Sequence, residues 1–334
     1  MTKKIFNNYC DKIILAPMVR INTLPMRLLA LDYGADLVYS EEIIDHKLIK
    51  CKRIVNDALG TIDYLDAEDK VAFRTCDIER DKVIVQIGTA DPERALKAAK
   101  LVEQDVSGID INMGCPKGFS IKGGMGAALL KKPETVYQIL TTLTSNLSIP
   151  VTCKIRCLSS LENTLELVKI IQSTGVSAIG VHGRTKDERP QHKNRNDFIR
   201  EISRYLSIPV IANGGSGDIK CYDDIEVFRR QTEASSVMLA RAPESNCSIF
   251  RKDGLLSMDE VISDYLKYSI EYDTNINAVK YGVQHMMGSY QATPRGKACL
   301  RSISVREICN LWDLSDYYDE YNKDSISPSN SAES

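Results

Sequence analysis

The chain has 334 residues, of which 43% are hydrophobic, and a formal net charge of −2. This size allows one large buried core and a smaller second domain, and the near-neutral charge excludes a general attraction to nucleic acid. No apolar run approaches the ~20 residues that span a bilayer, and the N-terminal MTKKIFNNYCDK lacks the apolar centre of a signal peptide. We therefore expect a soluble cytoplasmic protein with no membrane contact, and leave a nuclear location open.

Eight short apolar segments, each long enough for one strand, are spaced along the first 242 residues, and stretches with helical spacing lie between most of them. They are residues 13–18, 36–42, 83–88, 108–114, 150–157, 178–184, 208–215 and 236–242. Alternating strands and helices indicate a parallel sheet. Eight repeats in about 240 residues match the ~250 residues of a TIM (β/α)₈ barrel. We predict this barrel for residues 1–250.

Helix signals support this pattern. Asp91 before Pro92 supplies a cap and a first-turn proline, Ser160 offers another cap, and an apolar stripe follows Pro133. The segment 42–82 is too long for one connection, so we expect a helix and an insertion there. Residues 258–272, 277–287, 297–303 and 304–311 have helical spacing. We predict a small all-α domain at 251–320 and a disordered tail at 321–334.

The segment GIDINMGCPKGFSIKGGMGAALL (108–130) combines a buried-strand pattern with a cysteine and a glycine-rich loop. Asp110 and Asn112 share one strand face, and Pro116 ends the strand, so Cys115 lies at its C-terminal lip. Ligands of parallel α/β folds bind at that lip. A free cysteine is also commonly a small buried hydrophobe, and this alternative stays open. The ten cysteines lack paired zinc-site spacing, so we expect reduced thiols and no metal site.

Other strands bring polar groups to the same lip. These are Gln86, Lys154, Arg156, His182, Arg184, the turn Asn213, Gly214 and Gly215, and the pair Ala240 and Arg241. Each has a simpler explanation: Lys154 could pair with Asp110 or Glu42, His182 could be a core histidine, and the turn could need only positive φ. Glycine turns and an arginine after the last two strands are the usual phosphate grip of barrels. Their convergence predicts a phosphorylated, aromatic cofactor.

Together these motifs resemble the flavin-dependent tRNA-dihydrouridine synthases. The resemblance rests on APMVR at 16–20, NMGCP at 112–116, CKIR at 153–156, HGRTKDERPQH at 182–192, NGG at 213–215 and AR at 240–241. It runs from about residue 11 to 310, and is strongest for the eukaryotic type that modifies uridine 20 in the tRNA D-loop. The resemblance implies a TIM barrel with bound FMN, a helical domain that helps to hold tRNA, and NADPH as electron donor.

The resemblance also implies roles for individual residues. Cys115 would donate a proton to C5 of the uracil. The flavin ring would be lined by Pro17, Met18 and Val19, bonded by Gln86 and Lys154, and flanked by His182. The flavin phosphate would be held by Asn213, Gly214, Gly215, Ala240 and Arg241. The substrate would be contacted by Asn112, Arg156 and Arg184.

Binding of tRNA is expected to use two basic clusters. One comprises Arg184, Lys186, Arg189, Lys193 and Arg195, and the other Arg295, Lys297, Arg301 and Arg306. Acidic residues interleave both clusters, so a solvated face is the simpler alternative. Animal members of the resembling type carry a double-stranded-RNA-binding domain, and this sequence ends at Ser334 without one, so we expect no domain of that kind to strengthen binding. We expect a monomer.

Two other functions fit parts of the pattern. Lys154 on a barrel strand would suit an aldolase-like enzyme that forms a Schiff base. A tRNA-binding protein without catalysis would keep the fold but would not need Cys115, Lys154 and His182 together.

Overall fold

The computed structural model of the chain describes residues 9–326, with side chains through residue 322. The strands within this range are β1 (Ile13–Leu15), β2 (Leu37–Ile44), β3 (Lys52–Asn56), β4 (Thr61–Leu65), β5 (Val71–Cys76), β6 (Val83–Gly88), β7 (Gly108–Met113), β8 (Val151–Arg156), β9 (Ala178–His182), β10 (Val210–Asn213) and β11 (Ser236–Leu239). Eight form a closed parallel barrel in the order β1, β11, β10, β9, β8, β7, β6, β2. The prediction of a TIM barrel is confirmed.

The helices cover the barrel and then continue beyond it. They are α1 (Leu24–Asp32), α2 (Asp45–Leu48), α3 (Pro92–Val102), α4 (Gly118–Lys122), α5 (Pro133–Asn146), α6 (Leu161–Ser173), α7 (Asn196–Tyr205), α8 (Tyr222–Thr232), α9 (Arg241–Ser245), α10 (Met258–Glu271), α11 (Ile276–Met287), α12 (Pro294–Arg301), α13 (Val305–Asn310) and α14 (Ser315–Ile326). The predicted caps are present. Asp91 accepts from Arg94 N at 2.8 Å, and Ser160 accepts from Asn163 N at 3.1 Å. Each cap satisfies a backbone N–H that a helix start leaves without a partner.

Two separate apolar clusters result from the alternation of side chains along the strands. Ile14 and Met238 belong to a small cluster with Tyr9 and Tyr39 inside the barrel, whereas the adjacent Leu15 belongs to the large cluster beneath the helices. Successive strand residues point to opposite faces of the sheet, so a single strand contributes side chains to both clusters. The barrel is therefore packed at its centre, and its open space lies at the strand ends.

The segment between β2 and β6 contains the short helix α2 and an antiparallel sheet of β3, β4 and β5. Polar contacts hold this sheet against the barrel: Arg53 Nε lies 2.7 Å from an Asp105 carboxylate oxygen, and Arg27 Nη2 donates to the Arg74 carbonyl at 2.6 Å. The expected helix and insertion are confirmed. The strands themselves were not predicted because much of β3 is exposed and its sequence, KRIVN, lacks a clear apolar alternation.

Helices α10 to α14 follow the barrel, and α10 packs against α1. Tyr33 Oη donates to Asp264 Oδ2 at 2.8 Å across this contact. Helix α14 extends through Ile326, past residue 321 where the tail was expected to begin, while 327–334 lie outside the described residues. Tyr317 and Tyr321 hydroxyls donate to the Glu271 carboxylate and carbonyl at 2.7 and 3.0 Å, and this tethers the helix. No helix of the described chain is both long and apolar enough to cross a membrane.

Candidate active site

Cys115 follows β7 in a turn that is stabilised by hydrogen bonds to the side chain of Asn112. The Oδ1 atom of Asn112 accepts from the backbone N–H groups of Gly114 at 2.9 Å and Cys115 at 3.1 Å. Asn112 is buried at the strand end, so this carboxamide fixes the direction in which the thiol residue leaves the strand. Its predicted contact with substrate stays a prediction, and its support of the turn is an additional role.

The glycine-rich loop packs tightly on the cysteine turn. Ala127 N donates to the Cys115 carbonyl at 3.0 Å, and the preceding Gly126 has φ +56°. A Cβ atom at Gly126 would lie 2.6 Å from the Cys115 carbonyl oxygen and 3.0 Å from its Cβ. Only glycine fits this backbone position without displacing the thiol residue. The loop therefore fixes the backbone position of Cys115.

The Cys115 thiol is half-buried and stays protonated at neutral pH. Burial raises its pKa above the usual range, and the nearby Glu42 carboxylate raises it further, although the Lys117 backbone and the Ser120 hydroxyl act in the opposite direction. From the sequence alone, Glu42 was expected only as a possible ion-pair partner of Lys154. A thiol held in its neutral form is suited to donate a proton.

Lys154 extends from β8, the strand next to β7, and Asn112 is its partner in the strand register. Burial and the neighbouring Arg156 lower its pKa to about 8, against a smaller opposite effect of Asp110. No ion pair forms between Lys154 and either Asp110 or Glu42 in the described part of the chain, so the simpler explanation by an ion pair fails. The lysine is available for a ligand.

Asp110 instead organises the barrel interior beneath the lysine. It accepts from Gln86 Nε2 at 2.8 Å and from Thr152 Oγ1 at 2.7 Å, and burial raises its pKa to about 6. These bonds fix the orientation of the Gln86 carboxamide. The Oε1 atom of Gln86 makes no hydrogen bond among the described residues and is free to accept from a ligand.

His182 is a neutral imidazole. Burial, with the charges of Lys154, Arg156, Arg184 and Arg241, lowers its pKa to about 2. Arg184 Nη1 lies 3.2 Å from Nε2 of His182. Since a guanidinium can only donate, Nε2 is an acceptor and the proton of the ring resides on Nδ1.

A cationic cavity of about 200 Å³ opens beyond His182, at the ends of β10 and β11. Its walls include Asn213, Gly214, Ala240 and Arg241. Gly214 has φ +106°, and a Cβ there would lie 2.6 Å from Cδ2 of His182. The predicted glycine turn and arginine do converge on one cavity, and its charge and size suit a phosphate group.

Arg156 and Arg184 were predicted to bind substrate, but both contact protein. Arg156 Nε donates to the Gly114 carbonyl at 2.8 Å. Arg184 is 8% exposed and donates to the carbonyls of His192 and Gly214 at 2.7 and 2.9 Å. In this conformation Arg184 supports its loop and is not presented to an RNA phosphate. Arg156 also lines the cationic cavity, so its charge acts there.

The loop that follows β1 forms a further part of the rim of the barrel mouth. Met18 packs partly on the core, whereas Val19 is 46% exposed. The next residue, Arg20, has φ +69°, and its guanidinium lies 3.9 Å from the ring centroid of Tyr281. A residue of α11 thus reaches the rim, a contact that sequence reasoning missed because nothing in the spacing of α11 marks Tyr281.

The residues present fit FMN. The cationic cavity matches a phosphate, Gln86 Oε1 and the unpaired Lys154 match the polar edge of a flavin, and neutral His182 can flank a ring without charge repulsion. An anionic ligand would offset the mutual repulsion of Lys154, Arg156 and Arg241, which Asp110 and Glu188 offset only in part.

These features define a parallel barrel with a protonated thiol on one side of its mouth and a cationic cavity on the other. The family model described as dihydrouridine synthase (Dus) matches residues 14–292. The tRNA-dihydrouridine(20) synthase [NAD(P)+] of Schizosaccharomyces pombe is 42% identical over 301 residues, which are 86% of this chain and 62% of that protein. This chain thus spans less than two-thirds of that relative's length.

Two further relatives agree. The tRNA-dihydrouridine(20) synthase [NAD(P)+] of Saccharomyces cerevisiae is 39% identical over 82% of this chain and 76% of that protein. The tRNA-dihydrouridine synthase B of Pasteurella multocida is 31% identical over 86% of this chain and 80% of that protein. The chain belongs to the dihydrouridine synthase family, and the resemblance inferred from the motifs is confirmed.

Proposed function

We propose that this protein reduces uridine to 5,6-dihydrouridine at position 20 of the tRNA D-loop, using bound FMN and NADPH. The observation that carries the proposal is the placement of a protonated Cys115 thiol and an unpaired Lys154 at the ends of adjacent barrel strands. Family membership and the names of the yeast relatives support this substrate and this electron donor.

Arg241, Ala240 and the turn from Asn213 to Gly215 would hold the FMN phosphate, while Gln86, Lys154 and His182 would contact the ring and residues 17–19 would line it. When bound there, the flavin would supply the hydride for C6 of the uracil. Cys115 supplies the proton for C5, because its raised pKa keeps the thiol protonated at neutral pH. Lys154 stabilises negative charge on the cofactor ring.

The target base must leave its stack, at a cost of a few kcal/mol, and contacts to phosphates must offset this cost. The residues of the predicted basic clusters fall into two groups, those that form ion pairs within the described chain and those that do not. Lys186, Arg195, Arg295 and Arg306 pair with acids. No such pair involves Arg189, Lys193, Lys297 or Arg301 among the described residues. We propose the second group as the phosphate contacts.

The test is reconstitution. Purified protein with FMN, NADPH and an unmodified tRNA transcript should form dihydrouridine at position 20, as detected by mass spectrometry of nuclease fragments. A transcript with cytidine at that position is the control. Absence of dihydrouridine in the first transcript, with flavin bound and reduced by NADPH, would refute the proposal.

The aldolase-like alternative retains one supporting observation, because a lysine with a pKa of about 8 is a free amine in a larger fraction of molecules than an ordinary lysine. Borohydride would then trap a covalent adduct on Lys154 in the presence of a carbonyl substrate. Bound flavin and absence of any adduct would discard this alternative, and turnover of tRNA would discard the non-catalytic one.

A further inference from the structure

Glu42 lies at the active-site lip without a function in the mechanism above. A one-residue bulge in β2, between Tyr39 and Glu42, places it opposite Gln86 on β6. Its Oε1 atom is buried and has no hydrogen-bond partner among the described residues. A buried carboxylate oxygen without a partner is costly, and such groups persist mostly where they serve a function.

The surroundings of Glu42 point toward the thiol. The side chains of Asn112 and Cys115 lie close enough to favour its charged form, as does the Lys117 charge, whereas burial dominates and raises its pKa, with Asp110 acting in the same direction. A second buried oxygen without a partner, Ser120 Oγ, lies beside the same thiol. Side chains from two different elements, Glu42 of β2 and Ser120 of α4, therefore converge on Cys115.

We propose that Glu42 is a relay residue that returns a proton to Cys115 after each turnover, with Ser120 stabilising the intervening thiolate. This inference rests on the proposed function. When the S–H bond of Cys115 breaks and the new C5–H bond forms, the cysteine is left as a thiolate. The O–H bond of the Glu42 acid then breaks as S–H forms again, and solvent water returns a proton to the half-buried carboxylate. The two electrons come from NADPH, so the cycle balances.

The relay has a kinetic signature that a structural role lacks. The first turnover uses the proton already on Cys115, so it does not need Glu42. In Glu42→Gln we expect flavin reduction by NADPH and a single turnover of the reduced enzyme with tRNA to stay within about threefold of the wild type. Steady-state turnover at pH 8 should fall about 10- to 100-fold, and the deficit should shrink toward pH 6.5, where buffer acids reprotonate the thiolate.

The second measurement does not depend on turnover. Removing the Glu42 carboxylate removes one cause of the raised thiol pKa, so the pH profile of iodoacetamide modification at Cys115 should shift to lower pH in Glu42→Gln. Ser120→Ala should shift it to higher pH, because the hydroxyl favours the thiolate. Glu103→Gln is the matched control: it changes a glutamate at the other end of β7, where Glu103 accepts from Ser148.

The outcomes are distinct. Equal loss of single-turnover and steady-state rates in Glu42→Gln would make Glu42 a support of the Cys115 turn and overturn the relay, as would unchanged steady-state turnover. A wild-type enzyme that fails to reduce tRNA in a single turnover would instead overturn the proposed function. The shifted alkylation profile would then still report the contact between Glu42 and Cys115.

Discussion

The pKa values of titratable groups shift in opposite directions on the two sides of the barrel mouth. At the ends of β8 to β11, burial and mutual repulsion among cations lower the pKa values of Lys154 and His182 to about 8 and about 2. At the ends of β2 and β7, burial and acidic neighbours raise the pKa values of Glu42 and Cys115. The side formed by β8 to β11 is suited to bind an anion. The side formed by β2 and β7 holds groups that tend to stay protonated. Reduction of a carbon–carbon double bond needs both.

The largest expected effect comes from removing the thiol. Cys115→Ala should keep bound flavin and NADPH oxidation, because the cationic side is intact, but lose dihydrouridine formation by about 10²- to 10⁴-fold. The measurement is dihydrouridine per tRNA by mass spectrometry. Cys10→Ala, at the opposite end of the barrel, is the control, and full activity of Cys115→Ala would remove the thiol from the mechanism.

The second effect tests the cationic side through pH. Lys154 has a free-protein pKa of about 8, so if FMN binding requires the ammonium, affinity should weaken about tenfold per pH unit above 8 and stay constant below it. Fluorescence titration of FMN from pH 6.5 to 9.5 measures this. Lys154→Met should bind FMN weakly with no such dependence, and Lys12→Met, at the barrel base, should behave as wild type.

The same lowered pKa has a consequence for folding. A lysine whose folded pKa lies below its unfolded value of 10.5 destabilises the free protein fully below pH 8, and the penalty disappears as pH rises to 10.5. Lys154→Met should therefore raise the free energy of unfolding of the FMN-free protein at pH 7 relative to wild type, and the difference should vanish near pH 10.5. A constant difference across this range, by urea titration, would contradict the assignment.

The third effect concerns the turn that shapes the anion site. Gly214→Ala places a side chain at φ +106°, against His182, so we expect about 1–3 kcal/mol of destabilisation and loss of FMN affinity. Gly217→Ala, where a Cβ would meet nothing within 4 Å, is the matched control for stability in the same turn. Equal stability of the two variants, with wild-type flavin content in Gly214→Ala, would show that the turn tolerates a side chain.

The smallest effect concerns the proposed RNA contacts. Arg189→Ala and Lys193→Ala should each reduce the slope of log affinity for tRNA against log salt by about one. Arg195→Ala and Arg306→Ala remove cations already paired with Glu188 and Asp319, so we expect smaller changes. Filter binding at several salt concentrations measures the slopes. Equal slopes in all four variants would mean that ion pairing does not separate the two groups.

Sequence patterns predicted the barrel because each barrel strand is a short apolar run between helical signals, and side-chain alternation placed Cys115 and Lys154 at one lip. The antiparallel sheet was missed because pairs such as Arg53 with Asp105 join residues far apart in sequence. Glu42 was not assigned a function because its position depends on a bulge, and an extra residue in one strand leaves no mark on hydropathy. From its sequence position Arg184 was expected to be available to RNA, but its guanidinium donates hydrogen bonds to carbonyl groups of its own loop.

The shared core of α1 and α10, tied by Tyr33 and Asp264, bears on how a large substrate meets this surface. Because the helices after the barrel are anchored in the same apolar cluster as the barrel helices, we expect calorimetry to record one melting event, not two. We therefore expect the helical region to keep its position on the barrel when the proposed tRNA substrate binds. The deformation that brings the target nucleotide to the thiol would then come from the RNA rather than from a hinge in the protein.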